Sequence, residues 1–567
     1  MSEKTPLKNS DLNPQIETKK TWFTHFLKAV EWLGNLLPHP VTLFALFCLG
    51  VILISGLADL LNWSVADPRD QTGETLITAI SLMNAEGLRM IIANLVTNFT
   101  SFAPLGTVLV ALLGVGVAEH SGLIKAAIRG IVLKAVSVNL QANTGFWFLD
   151  LLLKPIVFVL QPRILVTVAV VFSGIVSNTA SELGYVVLVP LGAVVFLSLG
   201  RHPLAGLAAA FAGVSGGYSA NLLLGTIDPL LAGLTEEAAQ LIAPGYVVHA
   251  AVNYYFMFLS VFVITFMGTY VTVYIVEPTL GPYDRSIAME ELDDNEGMEP
   301  LTDLEKKGLF WTFISVIAMF GVLALAVVPE WGVLRNPDAD DFPANIRPFL
   351  TGIVAFIFIG FIIPGVVYGK IVGTIKTERD VIDGMAKSMA TLGLYIVIVF
   401  FAAQFVAYFG WTNLGQIVAV TGANILTDLN LTGPLVFLGF IFVSGFVNLM
   451  LGSASAQWAV TAPIFVPMLM LIGYSPEVIQ AAYRIGDSVT NIITPMMSYF
   501  GLILAFANKY DRNLGIGTII SMMLPYSIFF YIGWVILFYV MIFGFGIPPG
   551  PGAEIYFDVT QWGVENP

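Results

Sequence analysis

Two stretches of sequence decide the fold, because each places small polar residues in the middle of a long apolar segment. They are SGIVSNTASELGY at residues 173–185 and VNLMLGSASAQWA at residues 447–459. The apolar segments around them, 163–200 and 433–475, are each too long for one membrane-crossing helix, which needs about 20 residues. A turn at bilayer depth is tolerated only where it is buried in protein or lines a wet cavity. Both stretches therefore predict re-entrant helical hairpins, and the alternative is an ordinary crossing with a few helix-packing Ser and Gly residues.

The composition is that of a membrane protein with many spans. Hydrophobic residues make up 57% of the chain, charged residues make up 11%, and the mean hydropathy is +0.82, which is far outside the range of soluble domains. Basic residues are few and scattered, so nucleic-acid binding has no support. The single cysteine, Cys48, excludes an internal disulfide and a cysteine-built metal site. The polar N-terminus lacks a signal-peptide pattern, so we expect the first helix to remain in the mature protein.

Hydropathy and the distribution of Lys and Arg predict an all-α polytopic membrane protein with about nine transmembrane helices and a cytoplasmic N-terminus. The predicted crossings are 41–61, 103–119, 203–235, 250–276, 307–328, 347–368, 388–410, 476–507 and 514–545. A cytoplasmic tail, a first repeat, an acidic cytoplasmic loop, a second repeat and an external tail are then expected at 1–30, 31–278, 279–306, 307–546 and 547–567. Segment 120–162 combines a basic helical pattern with an apolar run, and it leaves an additional span open.

The two hairpin regions are related by a shift of 273 residues. The shift aligns prolines and glycines, which carry backbone geometry, as in Pro190 with Pro463 and Gly213 with Gly486. Five predicted crossings separate the first hairpin from the second, and because five is odd the two copies face opposite sides of the membrane. The sequence therefore predicts an inverted repeat, whose paired interruptions mark a transporter's binding site near the midplane.

The helix after each hairpin is also predicted to be interrupted, at GVSGGYSAN, residues 213–221, and at GDSVTNIITP, residues 486–495. Glycine and proline permit local unwinding, which frees carbonyl oxygens beside the hydroxyl and amide groups of the hairpin tips. Such oxygen-rich cages suit hard cations, and the sequence leaves sodium, a proton relay and a buried water cluster as alternatives. The candidate ion-site residues are Ser177, Asn178, Gly213 and Asn221 in the first copy and Ser453, Ser455, Gly486 and Ser488 in the second. The first three of these form the candidate sodium site.

Four motifs resemble the AbgT family of p-aminobenzoyl-glutamate transporters, within an ion-transporter superfamily that includes the sodium/dicarboxylate carriers. They are GVGVAEHSGL at 114–123, SNTASELGYVVLVPLG at 177–192, SASAQWAVTAPIFVPM at 453–468 and YRIGDSVTNIITP at 483–495. The resemblance extends over residues 30–545 and implies a homodimer of nine-helix protomers with a basin open to the cytoplasm. It implies import of p-aminobenzoyl-glutamate or export of antimetabolites such as sulfonamides. We expect no cofactor beyond a coupling ion, either a proton or sodium.

The resemblance also implies a set of site residues, all of which this sequence retains. They are Asp228, Asn448, Ser455, Trp458, Pro476, Arg484, Asp487 and Pro495. We assign Asp228 and Asp487 to ion coupling, because acids within a membrane are functional by default. The other six are assigned to substrate binding.

Arg484 is the residue of this set that most needs an explanation, since a centrally placed arginine costs roughly 2.5 to 3.5 kcal/mol on a translocon scale. It shares a helix face with Asp487, so the two side chains either neutralise each other or leave the guanidinium to grip a substrate carboxylate. Trp458 is either a packing residue or, at a wet hairpin tip, a platform for a benzoyl ring. Glu182 at the first tip is a weaker third acid.

These observations predict a secondary active transporter of a bacterial inner membrane. Its substrate would be p-aminobenzoyl-glutamate or a related aromatic folate-pathway anion, moved by alternating access and coupled to a proton or sodium gradient. A sodium-coupled dicarboxylate carrier is the main alternative, and a passive channel is a weaker one. An enzyme is not expected, because the five histidines lie at predicted span ends or in loops, away from Ser455 and Ser488.

Overall fold

Helices form nearly all of the regular structure in the computed structural model. The described residues are 38–70, 75–137, 161–180, 184–289, 299–339 and 345–562. The predicted N-terminal tail 1–30, the apolar run 146–160 and Glu182 lie outside them. One short antiparallel pair of strands, Ser64–Ala66 with Leu76–Thr78, is the exception in the described part. The prediction of an all-α polytopic membrane protein is confirmed.

Eight helices of the described ranges are long and apolar enough to cross a membrane. They are Pro40–Leu60, Ala85–His120, Tyr254–Leu280, Asp303–Val327, Ile353–Val372, Gly393–Trp411, Ala454–Leu471 and Ile516–Gly544. Six of them coincide with predicted single crossings. Shorter helices between them are Leu123–Ser137, Arg347–Thr351, Glu378–Ala390 and Leu414–Asp428.

The span Ala85–His120 is longer than the predicted crossing 103–119. It consists of two helices, Ala85–Thr100 and Ala103–His120. The first of these begins at Asn84, whose side-chain oxygen accepts a hydrogen bond from the Gly87 N–H at 2.7 Å. Its apolar residues are mixed with polar ones, so hydropathy alone did not reveal it.

Each predicted hairpin contains a pair of helices. Hairpin 1 consists of Pro162–Ser177 and Val189–Ser198, and hairpin 2 consists of Val436–Leu451 and Ala454–Leu471. Hairpin 2 turns at Gly452, whose φ of +60° is a left-handed conformation that glycine adopts without a steric cost. The small polar residues of hairpin 2 therefore mark its turn, as predicted, whereas residues 181–183 of the predicted hairpin 1 turn lie outside the described residues.

The helix after each hairpin is broken into two halves. Broken helix 1 consists of Pro203–Phe211, a π-helical turn Ala212–Gly216 and, after irregular backbone, Ile227–Ala239. Broken helix 2 consists of Pro476–Asn491 and Phe500–Tyr510. The structure thus contains both of the predicted interruptions.

The break in broken helix 2 lies further along the chain than predicted. Gly486 and Ser488 belong to regular helix, which continues to Asn491, so the expectation that unwinding frees the Gly486 carbonyl is wrong. The irregular backbone that follows contains Pro495, which has no N–H to donate to a helix. Gly486 instead allows close packing between two helices.

Paired glycines bring each hairpin against its broken helix. A Cβ added at Gly174 would lie 2.8 Å from Gly213 Cα, and a Cβ added at Gly486 would lie 2.8 Å from Gly445 N, closer than close-packed atoms allow. Gly213 and Gly486 are equivalent under the shift of 273 residues, and Gly174 and Gly445 each occupy an S-G-x-V motif. The sequence repeat is therefore also a repeat of one helix crossing.

Contacts between distant segments define two sides of the bundle. We call the side where the predicted acidic loop 279–306 begins the loop side. There the Tyr283 hydroxyl donates to the Tyr510 carbonyl oxygen at 2.9 Å. On the tail side, where residues 547–562 lie, the Phe557 N–H donates to the Gly473 carbonyl oxygen at 2.9 Å. Broken helix 2 begins on the tail side and ends on the loop side.

Gly486→Ala is expected to lower the thermal stability of the purified protein, because the added methyl group would lie 2.6 Å from the Ile441 carbonyl oxygen. Overpacking of this kind costs about 1–3 kcal/mol. Gly501→Ala is the matched control, since nothing lies within 4 Å of its added Cβ and alanine favours a helix over glycine. Thermal unfolding in detergent measures both. A Gly486→Ala variant as stable as the Gly501→Ala variant would contradict the packing role.

Candidate functional site

One face of broken helix 2 carries a line of buried polar side chains. Its members are Glu477, Gln480, Arg484, Asp487 and Asn491. Their spacing alternates between three and four residues, which places them on a single helix face. We call this line the polar seam. The sequence interpretation used only Arg484 and Asp487, although the same spacing in the sequence was a signal for the other three.

The central contact of the seam joins the two broken helices. Arg484 Nη2 donates to Asp228 Oδ1 at 2.7 Å, and Arg484 Nε donates to Asn253 Oδ1 at 3.1 Å. Asp228 lies in the first turn of the helix Ile227–Ala239 and also accepts a hydrogen bond from the Gly225 N–H at 2.7 Å. Both charged side chains are almost completely buried. They therefore form an ion pair that water does not screen.

Of the two alternatives for Arg484, direct pairing with Asp487 is not the one found, because the guanidinium pairs with Asp228. Long side chains on a helix point toward its N-terminus, so Arg484 reaches away from Asp487 and toward Asn253. Its ion-pair partner is Asp228, which lies 256 residues away in the sequence.

Two donors of the seam have no hydrogen-bond partner in the described part of the chain. They are Arg484 Nη1 and Gln480 Nε2, on side chains that are 1% and 0% exposed. Arg484 and Gln480 are four residues apart and so lie one above the other on the helix. Buried donors are rarely left unsatisfied, so this pair is a candidate for gripping the acceptor oxygens of a ligand.

Asp487 is a buried carboxylate without an ion-pair partner among the described residues. Its Oδ2 accepts a long hydrogen bond from Asn491 Nδ2 at 3.5 Å, and its Oδ1 has no partner. Asn448 of hairpin 2 donates to the Asp487 carbonyl oxygen at 2.8 Å and to Asn491 Oδ1 at 2.7 Å. Asn448 thus connects the hairpin to the seam where the uncompensated carboxylate lies.

Trp458 is buried, whereas the platform hypothesis placed it at a wet tip. Its ring stacks on Tyr483 with the centroids 4.1 Å apart, and its Nε1 donates to Thr235 Oγ1 at 2.9 Å. Thr235 in turn hydrogen-bonds Gln480 Oε1 at 2.8 Å. Trp458 therefore ties hairpin 2 to both broken helices, and one face of its ring is covered.

The other predicted site residues of the second copy lie around the same region. Ser453 and Ser455 are half-buried at the start of the second arm of hairpin 2, and Pro476 opens broken helix 2 after the capping residue Ser475. Pro495 lies in the break. Ser488 Oγ accepts a hydrogen bond from the Ser219 N–H of the opposite repeat at 3.1 Å.

The predicted ion-site residues of the first copy lie where hairpin 1 meets broken helix 1. Asn178 Nδ2 donates to the Gly217 carbonyl oxygen at 3.3 Å, while its Oδ1 has no partner in the described chain. Ser177 Oγ donates to the Gly174 carbonyl oxygen at 2.6 Å, beside the close approach to Gly213. Asn221 is fully buried, with its amide 3.3 Å from the Ile175 carbonyl oxygen. The orphaned Asn178 oxygen fits a cation ligand.

Asp228→Asn is expected to destabilise the protein strongly, because it leaves the Arg484 charge buried without its counter-charge. Removing one partner of a buried pair costs about 3–5 kcal/mol. Asp303→Asn is the control, since it breaks an exposed pair with Lys306 and is expected to cost no more than about 1 kcal/mol.

Thermal unfolding in detergent measures this difference between the buried and the exposed pair. Adding Arg484→Gln to Asp228→Asn is expected to recover part of the lost stability, because the double variant removes the unpaired charge. If Asp228→Asn were as stable as the wild type, the ion pair would not contribute to the stability of the folded protein.

Comparison with known proteins gives one consistent result. The AbgT transporter family profile matches residues 25–144 and 130–557. The p-aminobenzoyl-glutamate transport protein of Escherichia coli K12 is 34% identical over 523 residues, which cover 92% of this chain and 95% of that protein. Two solved structures are also similar.

MtrF of Neisseria gonorrhoeae represents a class of antimetabolite efflux pumps. It is 56% identical to this chain, and the structures match with a TM-score of 0.82 over 93% of this chain and 100% of that one. The YdaH transporter of Alcanivorax borkumensis is 40% identical, with a TM-score of 0.78 over 91% of this chain and 100% of that one. Family members are transporters and not enzymes. The chain therefore belongs to the AbgT family of membrane transporters.

Proposed function

We propose that this transporter moves p-aminobenzoyl-glutamate or a related aromatic folate-pathway compound, including sulfonamide antimetabolites, by secondary active transport. The similarity to the Escherichia coli transport protein and to MtrF supports the substrate class. The observation that carries the proposal is the buried guanidinium of Arg484, which is paired to Asp228 and still has Nη1 without a partner among the described residues. A guanidinium in this state is a ready anchor for a carboxylate.

Arg484 is proposed to bind the substrate while it keeps its ion pair with Asp228. One edge of the guanidinium holds Asp228, and Nη1 remains for a glutamate carboxylate oxygen. Tyr483 precedes Arg484 in the helix and stacks on Trp458, so an aromatic layer lies next to the anchor. Asn448, Ser455, Pro476 and Pro495 complete the proposed binding region.

Asp487 is proposed as the principal coupling group, because it is buried and its Oδ1 has no hydrogen-bond partner within the described chain. Asp228 is proposed to couple indirectly, through the state of Arg484. A sodium ion at Ser177, Asn178 and Gly213, with Asn221 nearby, is the alternative to a proton, and the orphaned oxygen of Asn178 supports it.

The family resemblance supports a homodimer in a bacterial inner membrane, and the Lys and Arg distribution supports a cytoplasmic N-terminus. With this orientation the tail side faces outward.

A sodium-coupled dicarboxylate carrier is the second candidate. The burial of Trp458 against Tyr483 favours it, because the covered face of the indole is closed to a substrate ring in this conformation. Uptake into proteoliposomes separates the two candidates. Labelled p-aminobenzoyl-glutamate and labelled succinate are compared under sodium and proton gradients that are imposed separately, and a passive channel would respond to neither gradient.

Asp487→Asn is expected to abolish the dependence of transport on the coupling gradient, because it keeps the shape of the side chain and removes the charge. Asp303→Asn, at an exposed position, is expected to transport like the wild type. The measurement is proteoliposome uptake with and without the imposed gradient. A wild-type rate and wild-type ion dependence in Asp487→Asn would refute the coupling role.

Arg484→Lys is expected to weaken p-aminobenzoyl-glutamate binding although it keeps the charge. An ammonium group is a point donor, so it does not serve Asp228, Asn253 and a substrate carboxylate in the fixed geometry of a guanidinium. Loss of one charge-assisted hydrogen bond costs about 1.5–3 kcal/mol, which is a weakening of roughly ten- to a hundredfold. Equilibrium binding to the purified protein measures it.

An unchanged affinity of Arg484→Lys would leave Arg484 as the counter-charge of Asp228 alone. Trp458→Ala, measured in parallel, is expected to penalise p-aminobenzoyl-glutamate more than free glutamate, since only the first has a ring to stack.

A further inference from the structure

The polar seam contains a second acid, besides Asp487, that the proposed coupling does not use. Glu477 lies in the first turn of broken helix 2, on the tail side, and is 3% exposed. We infer that Glu477 is a proton-binding group of the transport cycle and exchanges its proton with the tail side. The inference rests on the proposed ion-coupled transport, to which it adds a second proton site.

A count of buried charges gives the first argument. The broken helices bury three carboxyl groups, those of Asp228, Glu477 and Asp487, and one cation, Arg484, within the described chain. Arg484 pairs with Asp228, so Glu477 and Asp487 have no ion-pair partner among the described residues. A buried carboxylate without a counter-charge is costly and takes up a proton or an ion.

The contacts of Glu477 favour a proton over a metal ion. The Tyr246 hydroxyl lies 3.0 Å from Oε1 and 3.1 Å from Oε2. A phenol donates to a carboxylate and accepts from a carboxylic acid, so this partner satisfies both protonation states without movement of heavier atoms. The described residues contain no cluster of three or more His, Cys, Asp or Glu side chains that would hold a metal.

The position of Glu477 provides an exchange route. Tyr246 is half-buried and is flanked on the tail side by the rings of Phe557 and Trp562. The titratable groups that face the Glu477 carboxyl are Tyr246 and the exposed Glu554 of the tail. The half-buried Tyr246 hydroxyl, which is hydrogen-bonded to Glu477, is the group through which the proton is inferred to exchange on this side.

Glu477 is also connected to the substrate anchor. Asn253 Nδ2 donates to the Glu477 carbonyl oxygen at 2.8 Å, and Asn253 Oδ1 accepts from Arg484 Nε. At 1.5 Å per residue, Glu477 and Asp487 are separated by about 15 Å along the helix, with Arg484 between them. The two carboxyl groups without an ion-pair partner thus lie on opposite sides of the anchor along the helix, and Glu477 is the one nearer the tail side.

Infrared spectroscopy of the purified full-length protein in detergent tests the inference without a substrate. A buried protonated carboxyl group has a carbonyl stretching band that a carboxylate lacks, and the wild type is expected to lose a component of this band as the pH rises. Glu477→Gln is expected to lack that component, whereas the control Glu554→Gln, which removes a carboxylate from the same side, retains it. Identical spectra for Glu477→Gln and the wild type would overturn the inference.

Tyr246→Phe provides a second test, which remains available if Glu477→Gln does not fold. The variant keeps the carboxyl group and removes the phenol that donates to it, so the pH midpoint of the band is expected to rise by about one unit. A midpoint equal to that of the wild type would overturn the inference.

The number of protons exchanged on substrate binding separates this inference from the proposed function. p-Aminobenzoyl-glutamate is added to weakly buffered protein with a pH indicator, and Glu477→Gln is expected to exchange about one proton fewer per bound substrate than the wild type. Equal proton counts would overturn the role of Glu477 and leave the proposed function intact. A wild type that binds no p-aminobenzoyl-glutamate would overturn the proposed substrate, and the infrared result would still decide the proton site.

Discussion

The ion pair between Arg484 and Asp228 sets a constraint that the surrounding structure has to meet. Each of these charges is tenable away from water only while the other is within hydrogen-bond distance, so the two broken helices must meet at this point. Asp228 stands in the first turn after the break in broken helix 1, where the backbone N–H of Gly225 is left to hydrogen-bond it. The irregular backbone is thus part of the solvation of the pair.

Hairpin 2 adds hydrogen bonds around the ion pair and the rest of the polar seam. Asn448 of hairpin 2 connects to the backbone and side chains around Asp487, and Trp458 of the same hairpin reaches Thr235 in broken helix 1. These contacts join segments that are far apart in the sequence, and they surround the polar seam with atoms that are mostly satisfied. Within the described chain, buried side-chain atoms without a hydrogen-bond partner include three on the seam, on Gln480, Arg484 and Asp487, and two in hairpin 2, on Asn448 and Gln457. A ligand is therefore expected between the seam and hairpin 2.

The sequence was sufficient for the architecture around the site because its signals are local. Small polar residues inside apolar segments predicted the hairpins, and the spacing of prolines and glycines predicted the repeat.

The contacts inside the site depend on side-chain direction and on partners far along the chain. Arg484 was expected beside Asp487 from spacing alone, but it points toward the helix N-terminus and meets Asp228. The burial of Trp458 depends on Tyr483, whose position no local pattern reveals. Glu477 was overlooked because it stands beside Pro476 at a helix start, where an acid is usually a cap.

The glycine crossings have a mechanical consequence. Broken helix 1 passes its crossing through a π-helical turn that contains Gly213, whereas broken helix 2 passes the equivalent crossing at Gly486 as regular helix. The same contact is therefore compatible with two different windings of the backbone. Contact with the hairpin therefore does not by itself fix the number of residues per turn in the broken helix, so the winding of each broken helix is set by the residues on either side of its crossing.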